Sequence, residues 1–299
     1  MPTLTIAYYP RLDMPDHLEP VYTNHLFRGL AAKLIRLLRS LPEEAWLART
    51  CYPGWTVHDI ATHLIFTGTS RLSAQRDKFK RPGLQPYPAG FESLAGAIDA
   101  ANTRWADAFS LVSPRLLVDL LALTERQLAA FLAGLPRHGR APFSVAWAGE
   151  QESELWFDTA RELTERWHHQ QQIRDAVGAP GIATPRYLRP VLSTLVRAVP
   201  YWYASLAPRN HSVVELRISG ASGGTWSLEY DADQWHLHGG TRTDRPDATV
   251  SMTEDTAWRF LTRSITAEQA GPRIELGGDS TLSRRFLLVV AVMIPGGLR

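Results

Sequence analysis

The chain has little cysteine: Cys51 is the single one among 299 residues. One thiol cannot form an internal disulfide or a metal site built from several thiolates, so the sequence excludes both. Two interpretations of Cys51 stay open, a nucleophile or a small buried apolar residue. Any thiol chemistry that the protein performs is therefore expected to use a thiol from outside the chain.

A charge excess and a long apolar run are also missing. The formal net charge is +2, and no basic run alternates with aromatic residues, so no nucleic-acid partner is predicted. The longest uninterrupted apolar run, from Phe286 to Ile294, has nine residues, too few to span a bilayer. The N-terminus has neither the charged nor the apolar region of a signal peptide. The sequence predicts a soluble cytoplasmic protein with no membrane partner.

The remaining composition and the apolar pattern indicate two regions. Hydrophobic residues make up 44% of the chain, enough for a packed core, and the length suits two domains. Helical periodicity in the first two-thirds gives way to short alternating segments. We predict an α+β protein with a helical bundle over 1–182, a connecting helix over 183–208 and a small α/β domain over 209–299. Within that last domain, helices are expected near 253–264 and 280–294.

Local signals mark where helices begin and end. Thr56-Val-His-Asp59 is a capping box, which predicts a helix from there to about Lys78. Ser113-Pro114 is typical of a second helix start, and Gly178 of a helix end. Residues 81–90 are rich in proline and glycine and predict a loop.

One predicted helix gathers polar residues that could bind a metal. Placed on a helical wheel, Asp158, Glu162, Glu165, His169 and Gln172 form one stripe, at spacings of four, three, four and three. Side chains four residues apart can chelate one ion, and Glu165 and His169 have that spacing. An ordinary surface hydrogen bond between the two is the alternative.

A third ligand must come from another helix, and His63 is the best candidate. It lies at the flank of the apolar stripe of the helix that Thr56 begins, although a histidine satisfied within its own helix is the alternative. The sequence has no His-Glu-x-x-His, which excludes a zincin-type protease. It has one Glu-x-x-His element, where a di-iron bundle needs two and two further glutamates.

The two helical motifs resemble the mycothiol-dependent maleylpyruvate isomerase family, a branch of the DinB-like four-helix bundles. The motifs are Gly54-Trp-Thr-Val-His-Asp-Ile-Ala-Thr-His-Leu64 and Arg161-Glu-Leu-Thr-Glu-Arg-Trp-His-His-Gln-Gln-Gln-Ile-Arg-Asp-Ala-Val-Gly178. The resemblance implies that His63, Glu165 and His169 are the metal ligands. The acid usually found three residues after the second ligand histidine is Gln172 here, a departure that bears on the substrate more than on the metal.

The C-terminal part resembles the sterol-carrier-protein-like domain that such proteins often contain. The matching segments are Pro246-Asp-Ala-Thr-Val-Ser251 and Glu275-Leu-Gly-Gly-Asp279. Together with the helical motifs, they imply an N-terminal DinB-like four-helix bundle followed by a small α/β sterol-carrier-protein-like domain.

The resemblance also implies a chemistry. Two histidines and one glutamate would hold Zn²⁺, or another divalent metal, with one coordination position open. A low-molecular-weight thiol such as mycothiol would then add to a small electrophile, in a thiol-dependent isomerase or an S-transferase. Gln172 and Glu162 are expected to orient the ligands. A metal-free module that binds a small ligand, and a metal-assisted hydrolase, are the alternatives.

An anionic substrate or thiol needs a cationic anchor. The C-terminal domain offers Arg263, Arg273, Arg284 and Arg285. We take Arg284 and Arg285, on the last predicted helix, as catalytic candidates beside Gln172, although a solvated helix face explains them as well. The protein is expected to be a monomer or a homodimer.

Overall fold

The computed structural model describes residues 18–80 and 91–293, and the side chains of the second range from residue 93 onward. The loop predicted over 81–90 lies outside the described residues, as does the last residue of the helix predicted over 280–294. Among the residues described, no helix combines the length and the apolar character needed to cross a membrane.

The N-terminal region is helical. Its helices are α1 (Phe27–Ser40), α2 (Val57–Arg71), α3 (Phe91–Phe109), α4 (Pro114–Ala133) and α5 (Leu155–Ala176). Each of α1 and α2 packs against both α4 and α5, while α3 packs on the outside of α2. The four helices α1, α2, α4 and α5 therefore form a bundle. Leucines of α1 and α4 and the apolar face of α2 fill its centre.

The helix termini follow the local signals. Thr56 accepts from the backbone N–H of Asp59, and Asp59 accepts from that of Thr56, so the predicted capping box starts α2. Ser113 caps α4, and Pro114 is the first helical residue. Gly178 follows α5 with a φ of +65°, a conformation that favours glycine. Beyond α2, the π-helical turn Leu72–Arg76 continues the chain toward Lys78.

The segment predicted as a connecting helix, with an interruption or kink expected near Pro190 and Pro200, is broken and buried. It contains α6 (Pro185–Leu195), a 3₁₀ turn (Val196–Ala198) and α7 (Val199–Tyr203). Most of its apolar residues belong to a core cluster that extends from α5 to the C-terminal domain. In that cluster the rings of Trp167 and Trp258 meet edge to face at 5.2 Å. This cluster consequently joins the bundle to the C-terminal domain, while the centre of the bundle has a core cluster of its own.

The C-terminal domain is a five-stranded sheet with short helices. Its elements are β1 (Val213–Ser219), β2 (Gly224–Asp231), β3 (Gln234–Gly239), β4 (Ala248–Thr253), α8 (Glu254–Leu261), α9 (Ala267–Ala270), β5 (Glu275–Gly278) and α10 (Ser280–Arg285). The strand order is β3-β2-β1-β4-β5. All neighbours pair antiparallel except β1 and β4, which are parallel, with Leu216 opposite Val250. The predicted α+β fold class is confirmed.

The helix predicted over 280–294 is shorter in the structure. It comprises α10 and a 3₁₀ turn (Phe286–Leu288), after which the chain is extended at Val289. The extended part is anchored in the core, because Trp202 donates its indole N–H to the carbonyl of Val290 and Ala291 donates to the carbonyl of Leu261. Valines favour extended backbone, so tertiary contacts and local propensity agree here.

Candidate metal centre

Three side chains meet where α2 packs against α5. His63 lies on α2, and Glu165 and His169 lie four residues apart on α5. One ligand atom from each lies within 4.8 Å of the other two. The Nε2 atoms of both histidines approach the same oxygen, Glu165 Oε1, at 2.9 Å from His63 and 3.2 Å from His169. The structure thus brings the three residues predicted as ligands to one point.

The far nitrogen of each imidazole is also held by an oxygen. His63 Nδ1 lies 3.1 Å from Asn102 Oδ1 on α3, and His169 Nδ1 lies 2.8 Å from Gln172 Oε1. A neutral imidazole has one N–H. When Nε2 carries it, the imidazole donates to Glu165; when Nδ1 donates it to the amide oxygen, the Nε2 lone pair faces the carboxylate. Electron-rich atoms in this arrangement fit a shared cation, and two nitrogens with one oxygen are a donor set that Zn²⁺ accepts.

Burial and hydrogen bonding set the charge of the cluster. Burial alone would raise the pKa of Glu165, yet its hydrogen bonds with His169 and His63 hold that pKa well below its ordinary value. Burial lowers the pKa of His169. The neighbouring His168, whose Nδ1 donates to the carbonyl of Thr164, has a pKa lowered by burial to about 3. An ionised carboxylate beside a neutral imidazole is the state that metal binding requires.

Gln172 links the cluster to the C-terminal domain. Its Nε2 donates to Ser264 Oγ at 3.0 Å, and Ser264 is also hydrogen-bonded to Thr262. Between these two residues lies Arg263, with a φ of +55° just beyond the end of α8. Desolvation lowers the pKa of Arg263, and its guanidinium lies 5.3 Å from the centre of the Phe260 ring. Arg263 has no ion-pair partner among the residues described.

An aromatic wall closes one side of the cluster. The ring of Trp55 lies 5.2 Å from that of His63 and is stacked at 6.4 Å on that of His169. Trp55 follows a turn at Gly54, whose φ of +83° favours glycine. Tyr52 packs on Trp55 at 4.5 Å, and burial beside Asp99 raises its pKa to about 12. The wall is therefore uncharged and aromatic beside the three predicted ligands.

One residue expected to orient the ligands does a different task. Glu162 was predicted beside the metal, but its carboxylate accepts hydrogen bonds from Arg71 and Arg166, at 2.9 Å each. The α5 stripe is polar along its length because part of it meets these buried arginines and part meets the histidines. Spacing on the helix places Glu162 and Glu165 on one face of α5. Packing against α2 gives them different partners, because Arg71 faces Glu162 and His63 faces Glu165.

The two arginines chosen from the last helix have other surroundings. Arg284 is exposed on α10. Arg285 donates to the backbone carbonyl of Trp202 and, at 2.6 Å, to Ser205 Oγ, so it is bonded to the end of α7. Asn102 and Trp55, which contact the cluster, and Ser264, which contacts Gln172, had no assigned role in the sequence interpretation. Asn102 and Ser264 lie outside both motifs, and Trp55 lies in the first motif without a role assigned to it.

Comparison with known proteins identifies the family. Residues 27–174 match the family model of the mycothiol maleylpyruvate isomerase N-terminal domain. The chain belongs to the mycothiol-dependent maleylpyruvate isomerase family. Uncharacterised proteins from two strains of Mycobacterium tuberculosis are each 34% identical to it over 203 residues, which cover 67% of this chain and 74% of theirs. The family resemblance inferred from the motifs is thereby confirmed.

A solved structure of the mycothiol-dependent maleylpyruvate isomerase has the same fold. A crystal structure of its histidine-to-alanine mutant covers 85% of this chain and 91% of that chain, at 13% identity and a TM-score of 0.50. A solution structure of palmitated SCP2L2 from Aedes aegypti matches 31% of this chain and 87% of that chain, at 23% identity and a TM-score of 0.24.

Replacing Gln172 tests whether its contact with His169 supports metal binding by the cluster. Gln172→Leu removes the acceptor of His169 Nδ1 and the donor to Ser264, so His169 loses the contact that fixes its tautomer and orientation. Loss of such a partner weakens metal binding by about 10- to 100-fold. The measurement is competition for zinc against a chelating dye. As a control, Gln127→Leu on α4, whose oxygen accepts from Arg76, should retain the wild-type affinity; equal affinity in both variants would contradict the role of Gln172.

Proposed function

We propose that this protein is a divalent-metal-dependent enzyme that activates a low-molecular-weight thiol, such as mycothiol, for addition to a small electrophile. The observation that supports this most strongly is the shared oxygen of Glu165, which faces Nε2 of both His63 and His169. Family membership supports the thiol as cosubstrate. The product is that of a thiol-dependent isomerase if the thiol leaves again, and of an S-transferase if it stays.

A bound divalent ion would lower the pKa of a coordinated thiol and so supply thiolate near neutral pH. Residues of the chain would hold such an ion and leave a coordination position open for the thiol. Asn102 and Gln172 hold the two imidazoles with Nε2 directed at the common point, and Glu165 provides one negative charge. Trp55 lies against both imidazoles and limits the access of water to them.

The thiol is proposed to come from outside the chain because Cys51 is poorly suited to the task. Cys51 is exposed, and desolvation raises the pKa of its thiol, with a hydrogen bond to Ser264 acting in the opposite direction. A raised pKa leaves less nucleophilic thiolate at neutral pH.

Arg263 is the anchor that we propose for an anionic group of the substrate or thiol. It adjoins Ser264, the residue that joins Gln172 to the C-terminal domain, and its guanidinium is partly desolvated. The φ of Arg263 lies in the left-handed region, which costs a non-glycine residue about 1–3 kcal/mol. Residues in such strained conformations are frequent at functional sites. Arg284 and Arg285 stay predictions from the sequence, as do a cytoplasmic location and a monomeric or homodimeric state.

The decisive experiment measures thiol consumption. Zinc-loaded protein is incubated with mycothiol or glutathione and a panel of small electrophiles that includes maleylpyruvate, epoxides and activated alkyl halides, and free thiol and products are followed. Metal-dependent turnover that requires the thiol would support the proposal. Metal-dependent hydrolysis without thiol would favour the hydrolase, and tight ligand binding by metal-free protein without turnover would favour the binding module. Arg263→Ala should raise KM for an anionic substrate, whereas Arg39→Ala, which removes an exposed cation on α1, should leave it unchanged.

A further inference from the structure

A chain of hydrogen bonds leads from one predicted metal ligand into the C-terminal domain. His169 Nδ1 lies 2.8 Å from Gln172 Oε1, and Gln172 Nε2 donates to Ser264 Oγ at 3.0 Å. Ser264 Oγ lies 3.0 Å from Thr262 Oγ1, which donates to the backbone carbonyl of Trp258 at 2.8 Å. We call these contacts the hydrogen-bond chain. Each of its five residues is at most 7% exposed, so water has little access to the contacts.

The last acceptor of the hydrogen-bond chain fixes the direction of every donor. A hydroxyl has one hydrogen to donate, and a backbone carbonyl only accepts. Because Thr262 donates its hydrogen to Trp258, Ser264 has to donate its own to Thr262. Ser264 Oγ then accepts an N–H of Gln172, which turns Gln172 Oε1 toward His169. The network thus assigns the hydrogen of the neutral His169 imidazole to Nδ1 and leaves a lone pair on Nε2.

The opposite tautomer of His169 fits these contacts less well. It would donate from Nε2 to the Glu165 carboxylate, but that distance is 3.2 Å, at the long end for an N–H···O hydrogen bond, whereas Nδ1 lies 2.8 Å from Gln172. It would also require the amide of Gln172 to turn over. Ser264 would then donate to Oε1 and no longer to Thr262, so the hydrogen-bond chain would have one hydrogen bond fewer.

One more side chain contacts Ser264. The thiol of Cys51 is hydrogen-bonded to it. The oxygen of Ser264 has a second lone pair, so the thiol can donate there without altering the direction of the hydrogen-bond chain.

The far end of the hydrogen-bond chain is held firmly against α5. Trp258, on α8, is fully buried, and its ring packs edge to face on that of Trp167. The next residue, Arg259, forms an ion pair with Asp175 at the end of α5, at 2.5 Å. The packing of α8 on α5 therefore sets the distance that the hydrogen-bond chain spans.

We propose that Thr262 and Ser264 are positioning residues, which hold Gln172 in the orientation that keeps the hydrogen of His169 on Nδ1 and the Nε2 lone pair available for a metal ion. Both act through Gln172. The tautomer follows from the hydrogen bonds alone, whereas its effect on metal binding rests on the proposed function. In this way the C-terminal domain sets the metal affinity of a site that belongs to the bundle.

The test is nitrogen NMR of metal-free, full-length protein labelled with ¹⁵N-histidine, at about pH 8, where an imidazole is neutral. The spectrum distinguishes protonated from unprotonated ring nitrogens, and the His169 signals are identified by their loss in His169→Ala. Wild-type protein should have a protonated Nδ1. Thr262→Val and Ser264→Ala, which each break the hydrogen-bond chain, should populate the form protonated on Nε2 and lower zinc affinity about three- to tenfold. Thr262→Ser keeps the hydroxyl and should behave as the wild type does.

Thr194→Val is the matched control. Thr194 is also buried and donates its hydroxyl hydrogen to the carbonyl four residues earlier, that of Pro190, at 2.7 Å. Thr262 has the same kind of contact with Trp258, so the two variants lose equivalent hydrogen bonds. Thr194→Val should leave the tautomer of His169 and the zinc affinity unchanged, which separates positioning from the general cost of a lost buried hydroxyl.

The inference and the proposed function can fail separately. The inference is overturned if wild-type His169 has its hydrogen on Nε2, or if Thr262→Val and Ser264→Ala both keep the wild-type tautomer. The expected change of tautomer in a protein that binds no zinc would support the positioning role and contradict the proposed function instead.

Discussion

Replacing His169 by alanine is expected to abolish stoichiometric zinc binding and to reduce thiol-dependent turnover by at least about 100-fold. The variant removes one of the three proposed ligands and also leaves Gln172 Oε1 without its imidazole partner. Two remaining ligands, His63 and Glu165, belong to different helices and do not form a chelating pair on one helix. Metal content is measured by elemental mass spectrometry on protein purified without a His-tag or chelator, and turnover by thiol consumption.

The neighbouring histidine provides a matched control. His168 is buried like His169, but its Nδ1 donates to the backbone carbonyl of Thr164, and His168 does not belong to the ligand cluster. His168→Ala should therefore keep about one zinc per chain, with whatever loss of stability the cavity causes. Equal metal content in the two variants would contradict the ligand assignment. Wild-type protein that takes up no zinc even after incubation would remove the basis of the proposed mechanism.

Replacing Arg166 by methionine is expected to lower the free energy of unfolding by about 3–5 kcal/mol. Arg166 is 2% exposed and bridges three helices: it donates to Glu125 on α4 at 2.7 Å, to Glu162 on α5 at 2.9 Å and to the carbonyl of Leu64 on α2 at 2.7 Å. Glu125, buried, would lose its ion-pair partner. Burial already raises the pKa of Glu125, and an unpaired carboxylate there is unfavourable. Urea denaturation measures the effect.

Two further variants separate the buried network from general effects of charge. Arg39→Met removes an exposed cation 3.9 Å from Asp119 and should change stability by less than about 0.5 kcal/mol. The double variant Arg166→Met with Glu125→Leu should regain part of the loss, because no unpaired charge stays buried beside α4. A single Arg166→Met variant as stable as Arg39→Met would show that the network contributes little.

The same network predicts a dependence on acid. Burial would raise the pKa of Glu162, but Arg166, Arg71 and Arg161 lower it to about 2, from an ordinary value of 4.5. A carboxyl whose pKa is lower in the folded state contributes stability that is complete above the unfolded pKa and is lost as pH falls through the folded one. This contribution should therefore decline between about pH 4.5 and pH 2.

Several helix termini could be predicted from the sequence because their causes are local. The capping box at Thr56, the proline after Ser113 and the glycine after α5 act within a few residues. The strand β5 was missed, since Glu275-Leu-Gly-Gly278 has low strand propensity and is fixed by pairing with β4. The extended segment after Leu288 was read as helix, because a short apolar run has no periodicity that separates the two.

The sequence by itself determined the family, the fold class and that Glu165 and His169 lie together on one helix face, since spacing along one helix fixes which side chains share a face. Only the tertiary structure decided that His63 meets them at one oxygen, that Asn102 and Ser264 complete the contacts, and that Glu162 belongs to an arginine network instead. These contacts join residues from different helices and from both domains. The sequence specifies each such contact only through the packing of the whole chain, which places partners up to about a hundred residues apart within a few ångströms of each other.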